Sequence, residues 1–382
     1  MAETIEQLVA GLAGHFEVGD VCRLLDEHLE RGDTGYLAEF GAALHTRYGS
    51  GTAGAEHQYL FDRILWDVVT APGPQNVTLA MRLGLATRAR TRLPARRAAA
   101  VLAEHRRPAD LAVLYAPGRA YDDTPDELRA CLIHELVLRG VPVAEKLPAA
   151  VAWAAASPFW AEHPLAPLPW SLTPSEGRPD LPRYFRGGAG YGVQYGLPEG
   201  APVARGGRAP AVEIGPDEPD LTAAVERWAR RFNGRVEAAV FLLAEPLAEP
   251  RALHPLLAGL PLDCLEGVPA DPEHLTVVPG TAAEAWSRLF GAAAIGGGRE
   301  DENWWYGAYG RLAAWRSLAA LVGAPAGASV AEVERRAGDC AWYGFQPANE
   351  WFNRDSMDIG LLTLTPDGRR LAVLAATDYD GG

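Results

Sequence analysis

The strongest constraint on the fold is a long segment, residues 151–210, that cannot continue the helices before it. The segment is rich in proline as far as Pro182 and in glycine beyond it, and both residue types interrupt helices. A chain of 382 residues is also too long for one ordinary hydrophobic core. We therefore predict one domain in residues 1–150 and a second in residues 211–382. The segment between them is either a linker or a long ordered loop, and its tryptophans favour the loop because disordered linkers are poor in aromatic residues.

Residues 1–150 have the apolar spacing of amphipathic helices. In the stretch TIEQLVAGLAGHF, apolar residues recur at the spacing of one helix face. Further on, Thr124, Pro125 and Glu127 form a helix-start signal, and Gly140 is placed to end that helix. No fixed-period repeat stands out. The pattern predicts an α-helical array.

Residues 211–382 mix helix and strand patterns. The stretches LTAAVERWARRFNG and TAAEAWSRLFGAAA have helical spacing, whereas RVEAAVFLLAEP is typical of a strand that is buried on both faces. In DIGLLTLTPDGRRLAVLAATD, two apolar runs flank the turn-forming residues 366–368. The predicted fold class is α+β, or α/β, with a helical N-terminal array followed by a mixed domain that ends in a β-hairpin.

Three stretches in the C-terminal half also carry a resemblance. They are TAAVERWARRFNGRVEAAVFLL, AYGRLAAWRSLAALVG and DIGLLTLTPDGRRLAVLAATDYD. Together they resemble an actinobacterial protein family of unknown function, over roughly the C-terminal half of the chain. The resemblance implies an actinobacterial, cytoplasmic protein and brings no activity with it.

The charge balance argues against nucleic acid as a partner. The chain has 35 basic and 49 acidic side chains, a net charge of −14, whereas nucleic-acid binding needs a surplus of cations. Eight arginines in residues 82–107 could still dock an acidic partner, but a solvated face of two helices is the interpretation we favour. No apolar run reaches the roughly 20 residues of a membrane span. The N-terminus lacks the basic start of a secretion signal, so we expect a cytoplasmic protein without a membrane partner.

Several common catalytic motifs are missing from the sequence. HELVLRG begins like a zinc-protease helix, but position 138 is leucine where the second histidine is needed, so His134 is better explained as a surface or core residue. Lys146 is the single lysine, and no glycine loop surrounds it. The glycines of residues 186–196 lack the dinucleotide spacing, and neither a P-loop nor a nucleophile elbow occurs.

The least ordinary stretch is GGGREDENWWYGAYGRLAAW, residues 296–315. Trp304, Trp305 and Tyr306 could form an aromatic lid over a ligand or could belong to the core. A helix is expected from about residue 303. However, its glycines at 307 and 310 cost about 1 kcal/mol each relative to alanine, so either the helix starts later or another group approaches its backbone. Arg311 lies toward the apolar stripe, where its charge must be paired.

The hairpin brings a group of carboxylates to its open end. If the turn lies near residue 367, Asp358 lies roughly opposite Thr377–Asp378, and Asp380 follows two residues after Asp378. Carboxylates this close share a proton, pair with an arginine such as Arg311, or bind a cation. Asp358 and Asp378 are therefore weak candidates for a divalent metal site. The alternative is a frayed, solvated tail.

Two classes of function remain open from the sequence. We expect first a binding or interaction protein that holds a protein partner or a small ligand through the helical array and exposed aromatics, without a cofactor. The alternative is a hydrolase or group-transfer enzyme built on the C-terminal aspartates with Arg311, with or without a divalent metal. The sequence does not decide whether the protein is an enzyme.

Overall fold

The computed structural model describes residues 4–12, 18–49, 55–86, 94–116, 126–186, 188–190, 192, 195–230, 234–295, 305–352 and 357–378. The contacts within the chain divide it into two compact units. Unit 1 comprises Met1–His163 and Arg183–Ala189, and unit 2 comprises Pro164–Pro182 and Gly190–Gly382.

Unit 1 is built from short helices, as the sequence predicted for residues 1–150. Its described helices are α1 (Ile5–Gly11), α2 (Val18–Glu30), α3 (Thr34–Tyr48), α4 (Ala55–Thr70), α5 (Pro74–Ala86), α6 (Ala95–His105), α7 (Pro108–Leu111), α8 (Asp126–Leu138), α9 (Val143–Lys146), α10 (Pro148–Ala156) and α11 (Pro158–Ala161). Two short strands, β1 (Arg183–Phe185) and β2 (Gly188–Gly190), pair with each other.

Helix α8 lies in the core of unit 1 and shows how its sequence sets its ends. Every residue from 130 to 138 is buried, including His134, whose ring stacks on Trp160. The helix stops where Gly140 adopts a left-handed φ of 71°, as its position predicted. Thr124 and Pro125, the other parts of the start signal, lie outside the described residues. His134 is therefore a core histidine.

Unit 2 contains a six-stranded antiparallel sheet and five described helices. In chain order these elements are β3 (Val212–Ile214), α12 (Glu226–Arg230), β4 (Arg235–Leu243), α13 (Leu253–Leu257), β5 (Leu275–Gly280), α14 (Ala282–Ile295), α15 (Tyr306–Leu321), α16 (Val330–Asp339), β6 (Ala341–Pro347), β7 (Asp358–Leu364) and β8 (Arg370–Thr377). The order across the sheet is β3-β4-β8-β7-β6-β5, and each neighbouring pair is antiparallel. The predicted α+β class is confirmed.

The predicted C-terminal hairpin is also confirmed. Strands β7 and β8 pair from Leu364 opposite Leu371 to Asp358 opposite Thr377. Gly368 closes the turn with a φ of 67°, a conformation that glycine adopts without strain. Nearly every residue of both strands is buried, so both faces of this part of the sheet are covered.

Two predictions for this region need correction. Strand β4 is not buried on both faces. The three-residue β3 pairs only with residues 241–243, and most of the first half of β4 is partly exposed; Leu242 is 43% exposed although β3 lies beside it, so its face of the sheet is uncovered there. The helix expected over residues 221–234 is a 3₁₀ turn, Pro219–Thr222, followed by the short α12. The backbone N–H of Ala224 donates to the Ser317 hydroxyl, 2.9 Å away, which takes it out of a helical ladder.

Helix α15 contains both glycines whose helix cost the sequence analysis noted. It starts at Tyr306, so Gly307 and Gly310 lie inside it. A Cβ atom on Gly310 would come within 2.9 Å of the Cα atom of Ala294 in α14. Helix α14 therefore approaches α15 so closely at Gly310 that only glycine fits there. This contact costs α15 some helix propensity.

The proline-rich residues 164–182 contain no helix or strand, yet belong to unit 2. Glu176 and Ser175 within them are buried. This part of the segment is thus an ordered loop. Among the helices of the described ranges, none is long and apolar enough to cross a membrane.

Candidate functional site

The open end of the C-terminal hairpin holds an anchored carboxylate. Asp358 is the first residue of β7 and pairs across the ladder with Thr377, the last residue of β8. The Thr377 hydroxyl donates a hydrogen bond to Asp358 Oδ1, 2.6 Å away. The relative exposures of Asp358 and Thr377 are only 8% and 4%. The pair therefore fixes one oxygen of a nearly buried acid.

A second carboxylate follows at the same end. Asp378 is buried, and its backbone N–H donates to the carbonyl of Met357, 3.2 Å away. The ladder thus continues one residue beyond β8, and Asp378 is held in place rather than frayed. Asp380, the third predicted carboxylate, lies outside the described residues.

A small pocket opens beside Asp358 where two strands part. Strands β6 and β7 are paired from Ala341 opposite Leu364 to Gly344 opposite Leu361. Beyond that point β6 stays with β5 and β7 stays with β8, which leaves a fork. The lining residues are Tyr195, Gly196, Leu197, Phe345, Gln346, Phe352, Asp358 and Gly360. The pocket has about 210 Å³ of empty space, part of it open to solvent.

Gly360 is the residue that allows the strands to come together at the base of the fork. A Cβ atom there would lie 2.0 Å from the carbonyl oxygen of Phe345, which no side chain could tolerate. A glycine inside an otherwise apolar strand is a recognised sign of a close backbone approach or a bulge. This is the one signal in the sequence that could have pointed to the fork.

Tyr195 is the most unusual member of the pocket. Its side chain is 5% exposed, and its hydroxyl has no hydrogen-bond partner among the described residues. Burial, together with the nearby negative charge of Asp378, raises the pKa of the Tyr195 phenol. Its ring meets Trp228 edge-on, with centroids 5.5 Å apart. Sequence reasoning missed Tyr195 because the glycine-rich stretch around it has no periodic pattern.

Arg311 does not join the hairpin carboxylates but pairs with Glu176. Its Nε and Nη2 atoms donate to the two carboxylate oxygens of Glu176 at 2.6 and 2.9 Å. Nη1 and Nη2 also donate to the carbonyls of Pro169 and Ser171 at 2.9 and 3.0 Å. Trp315 Nε1 donates to the same carboxylate at 2.7 Å. The arrangement fastens the proline-rich loop to α15.

The aromatic residues before Arg311 lie mostly inside the protein. Tyr306 is 1% exposed and has a φ of 51°, which is uncommon for a bulky residue. Trp305 is half-buried, and the Arg227 guanidinium lies 5.5 Å from its ring centroid. Trp304 lies outside the described residues. Tyr306 therefore contributes to the core of unit 2 and has no surface with which to cover a ligand.

The described side chains offer little for a metal ion. In the ranges that the structure describes, no group of three or more histidine, cysteine, aspartate or glutamate side chains could hold one. Around the fork, the described side-chain oxygens that could bind a metal belong to the carboxylates of Asp358 and Asp378, the amide of Gln346 and the hydroxyl of Tyr195.

Unit 1 contains a polar cluster centred on Glu127 in α8. Its carboxylate accepts from Arg96 Nε at 3.0 Å and lies 3.0 Å from His163 Nε2. The Cys131 thiol lies 3.8 Å from the same carboxylate, and burial raises its pKa well above the ordinary value. A thiol that stays protonated is a poor nucleophile, so the cluster is a structural network.

The arginine-rich residues 82–107 are not a uniform solvated face. Arg96 binds Glu127, and Arg106 is 6% exposed and donates to the carbonyl of Val68 at 2.8 Å. Both arginines serve the helical core.

Comparison with known proteins gave one match. The model of a family described as a family of unknown function, DUF6183, matches residues 19–380. It starts far upstream of the stretches that carry the resemblance noted above. Neither a curated protein nor a solved structure is significantly similar to the chain.

Proposed function

This chain belongs to the DUF6183 family of unknown function, and we propose that unit 2 is a non-enzymatic binding module that holds one end of a small ligand in the fork pocket. The fork pocket is the space between β6 and β7 beside Asp358. We further propose an actinobacterial, cytoplasmic setting, as the resemblance implies.

The observation that supports this proposal is the Tyr195 hydroxyl. A buried polar group without a partner costs about 1–3 kcal/mol, and native proteins rarely leave one in that state. Tyr195 lines a space that also receives Asp358 and Gln346. A ligand group that reached the hydroxyl from this space would recover that cost.

The same geometry favours binding over catalysis. Asp358 is held by Thr377, and Arg311, the proposed catalytic partner, is bound to Glu176. The described residues that line the pocket include the carboxylate of Asp358 and the phenol of Tyr195. They include no histidine, cysteine or serine that could form an activated nucleophile. The space is also small for a reaction, because its 210 Å³ includes volume that is open to solvent and is still below the usual size of a pocket that takes a whole small molecule.

The experiment is a thermal-shift screen of the full chain against a library of small polar metabolites. A ligand of the fork pocket should raise the melting temperature of the wild type and should lose most of this effect in Tyr195→Phe and in Asp358→Asn. Tyr59→Phe is the matched control, since Tyr59 is 46% exposed in unit 1. If every stabilising ligand acts equally on all three variants, the fork pocket is not its site and the proposal is wrong.

A protein partner is a second candidate, favoured by one observation in unit 1. Residues 147–161 contain no charged side chain, and residues 148, 151, 152, 155, 156 and 159 are all exposed. Residues 148, 151, 152, 155 and 156 have the spacing of one face of α10, which suits an apolar helix of another protein. Val151 on this face and Phe159 in the next helix, α11, are each 40% exposed.

The second candidate is tested with Val151→Glu and Phe159→Glu in one variant. A specific helical partner should be captured by the wild type and by the exposed-site control Tyr59→Glu, but not by the double variant. Loss of self-association in the double variant alone, measured by sedimentation, would replace the foreign partner with a second copy of this chain.

A further inference from the structure

We propose that the outer edge of strand β3 binds a short extended segment of another protein, in which a basic residue stands between two apolar residues. The segment adds one more antiparallel strand to the sheet of unit 2, a mode of recognition known as β-augmentation. Strand β3 lies at the other side of the sheet from the fork between β6 and β7, so this inference does not depend on the proposed function.

The backbone of β3 bonds to β4 on one side only. Strand β3 is the first in the order β3-β4-β8-β7-β6-β5, and β4 is its one neighbour in this sheet. The Gly215 N–H donates to the Val240 carbonyl at 2.8 Å, and the Ala244 N–H donates to the Ala211 carbonyl at 2.9 Å. In an antiparallel ladder, every second residue directs its backbone groups to the same neighbour. Residues 211, 213 and 215 therefore face β4.

Val212 and Ile214 consequently turn their N–H and C=O groups to the outer edge. Within the described ranges, none of these four groups makes a hydrogen bond. Unpaired backbone groups on an outermost strand are a template for a further strand. An added antiparallel strand exchanges two hydrogen bonds with each of the two residues, as the other antiparallel strands of this sheet do with one another.

Apolar surface at the same edge is left for an added strand to cover. Ile214 is 74% exposed, the highest value among the large apolar side chains of the described residues. It lies on the same face as its ladder partner Phe241, which belongs to the core, and as Val212, which packs against that core. Residues that lie opposite Val212 and Ile214 in an added strand share this face. They are therefore apolar in the segment that fits.

Glu213 selects the charge of the middle residue. Its side chain is exposed and has no ion pair in the part of the chain that the structure describes. Residues 209–226 contain five carboxylates and no basic side chain. The middle residue of the added strand lies directly opposite Glu213 on the same face, with Cα atoms about 4.5 Å apart. Opposite charges in this position stabilise the pair, so lysine or arginine fits best.

The same carboxylate argues against a second copy of this chain as the occupant. Two β3 strands that bond through all their outward groups place Glu213 of one copy opposite Glu213 of the other, and like charges in this position are destabilising. A shift of the register by two residues brings Pro210 or Pro216 opposite an outward carbonyl. Proline has no N–H to donate to it.

The two prolines also limit the length of the added strand. Pro210 and Pro216 are the next residues whose backbone groups face outward in the alternation, one before and one after β3. A short edge strand with prolines is protected from uncontrolled pairing. The added segment therefore pairs along the three residues of β3 and no further.

The test is fluorescence anisotropy of labelled peptides with the full chain. The probe is Thr-Thr-Val-Lys-Val-Thr-Thr, and the matched control has glutamate in place of the lysine. A third peptide is N-methylated at both valine nitrogens, which removes the N–H groups that face β3, and a fourth is N-methylated at the lysine nitrogen, which faces away. We expect the first and fourth peptides to bind and the second and third to fail.

Three variants locate the site. Glu213→Lys should weaken binding of the lysine peptide about tenfold and should bind the glutamate peptide instead. Ile214→Thr keeps a β-branched side chain but removes apolar surface, and it should weaken the lysine peptide about threefold. Glu266→Lys, the control, makes the same change at another exposed carboxylate of unit 2 and should leave both affinities unchanged.

Other results overturn the inference, each for its own reason. If the glutamate peptide binds the wild type as tightly as the lysine peptide does, the charge assignment is wrong. Equal binding of the peptide with methylated valines would exclude strand pairing. If Glu213→Lys binds the lysine peptide as well as the wild type does, the site lies elsewhere, and if no peptide binds, the edge is closed. Self-association of the wild type that Ile214→Thr abolishes, measured by sedimentation, would make a second copy the occupant.

Discussion

Arg311 and Glu176 form an ion pair in which neither side chain is exposed to solvent, although 135 residues separate them along the chain. The guanidinium meets the carboxylate with two hydrogen bonds, of 2.6 and 2.9 Å. Removing one partner of such a pair leaves a buried charge without compensation. The ion pair therefore contributes strongly to holding the proline-rich loop, residues 164–182, against α15.

Glu176→Gln should destabilise the protein by about 3–5 kcal/mol, because the Arg311 charge would remain buried without its counter-charge. Urea unfolding followed by tryptophan fluorescence measures the change. Glu332→Gln, which removes a solvent-exposed partner of Arg335 and Arg336, is the control and should have little effect. Equal losses in the free energy of unfolding would show that the buried pair contributes no more to stability than the Glu332 pairs do.

Gly310→Ala should destabilise unit 2, although alanine is the better helix former. The new Cβ atom would lie 2.9 Å from Ala294 Cα, and overpacking of this kind costs about 1–3 kcal/mol, which exceeds the helix-propensity gain of about 1 kcal/mol. Gly338→Ala in α16 is the matched control, since nothing lies within 4 Å of its Cβ position. Calorimetry should therefore give opposite signs, with Gly310→Ala melting lower and Gly338→Ala melting higher than the wild type.

Thr377→Val should cost about 1–3 kcal/mol, because the nearly buried Asp358 loses its donor while the side-chain shape is kept. Thr363→Val in the same hairpin is the comparison. The Thr363 hydroxyl is fully buried and has the Cys340 thiol, a weak hydrogen-bonding group, as a neighbour, so valine should cost less there than at residue 377. Chemical denaturation of both variants checks the difference, and a larger loss at residue 363 would contradict it.

His254 should make the protein less stable in mild acid. It is fully buried, and this burial lowers its pKa below the ordinary 6.5, opposed by a hydrogen bond with the backbone of Leu275 and by Asp271 and helped by the positive charge of Arg205. The unfolded chain then binds the proton more tightly, so the stabilising contribution is complete above 6.5 and is lost as the pH falls below it. One proton contributes at most about 1.4 kcal/mol per pH unit.

The histidine prediction is checked by unfolding the wild type and His254→Gln on both sides of this pH. The wild type should lose more stability than the variant on acidification. Parallel curves would assign the acid sensitivity to other groups.

The sequence predicted those parts of the structure that depend on neighbouring residues. The hairpin follows from the turn residues 366–368, and α14 follows from the helical spacing of TAAEAWSRLFGAAA. The structure adds a capping box at its start, in which Thr281 and Glu284 exchange hydrogen bonds. The glycine at position 310 indicated a close approach of another group, but the sequence did not show which residue makes it. Each of these depends on local spacing.

The pairings that create the candidate site depend on distant residues, and no local pattern encodes them. Glu176 had no feature that marked it as the partner of Arg311. Tyr195 comes from a glycine-rich stretch, and it lines the same pocket as Asp358, where β6 and β7 part beyond Gly344. The carboxylates were found because the hairpin itself was local. Tyr195, the phenol that lines the same pocket, could be identified only from the tertiary structure.

The path of the chain between the two units has a practical consequence for anyone who wishes to study them apart. The chain enters unit 2 at Pro164, returns to unit 1 at Arg183 and re-enters unit 2 at Gly190. A polypeptide beginning at residue 190 would lack Glu176 and would have to bury the charge of Arg311 alone. No single cut yields both units whole, and a C-terminal fragment meant to fold by itself has to begin by residue 164.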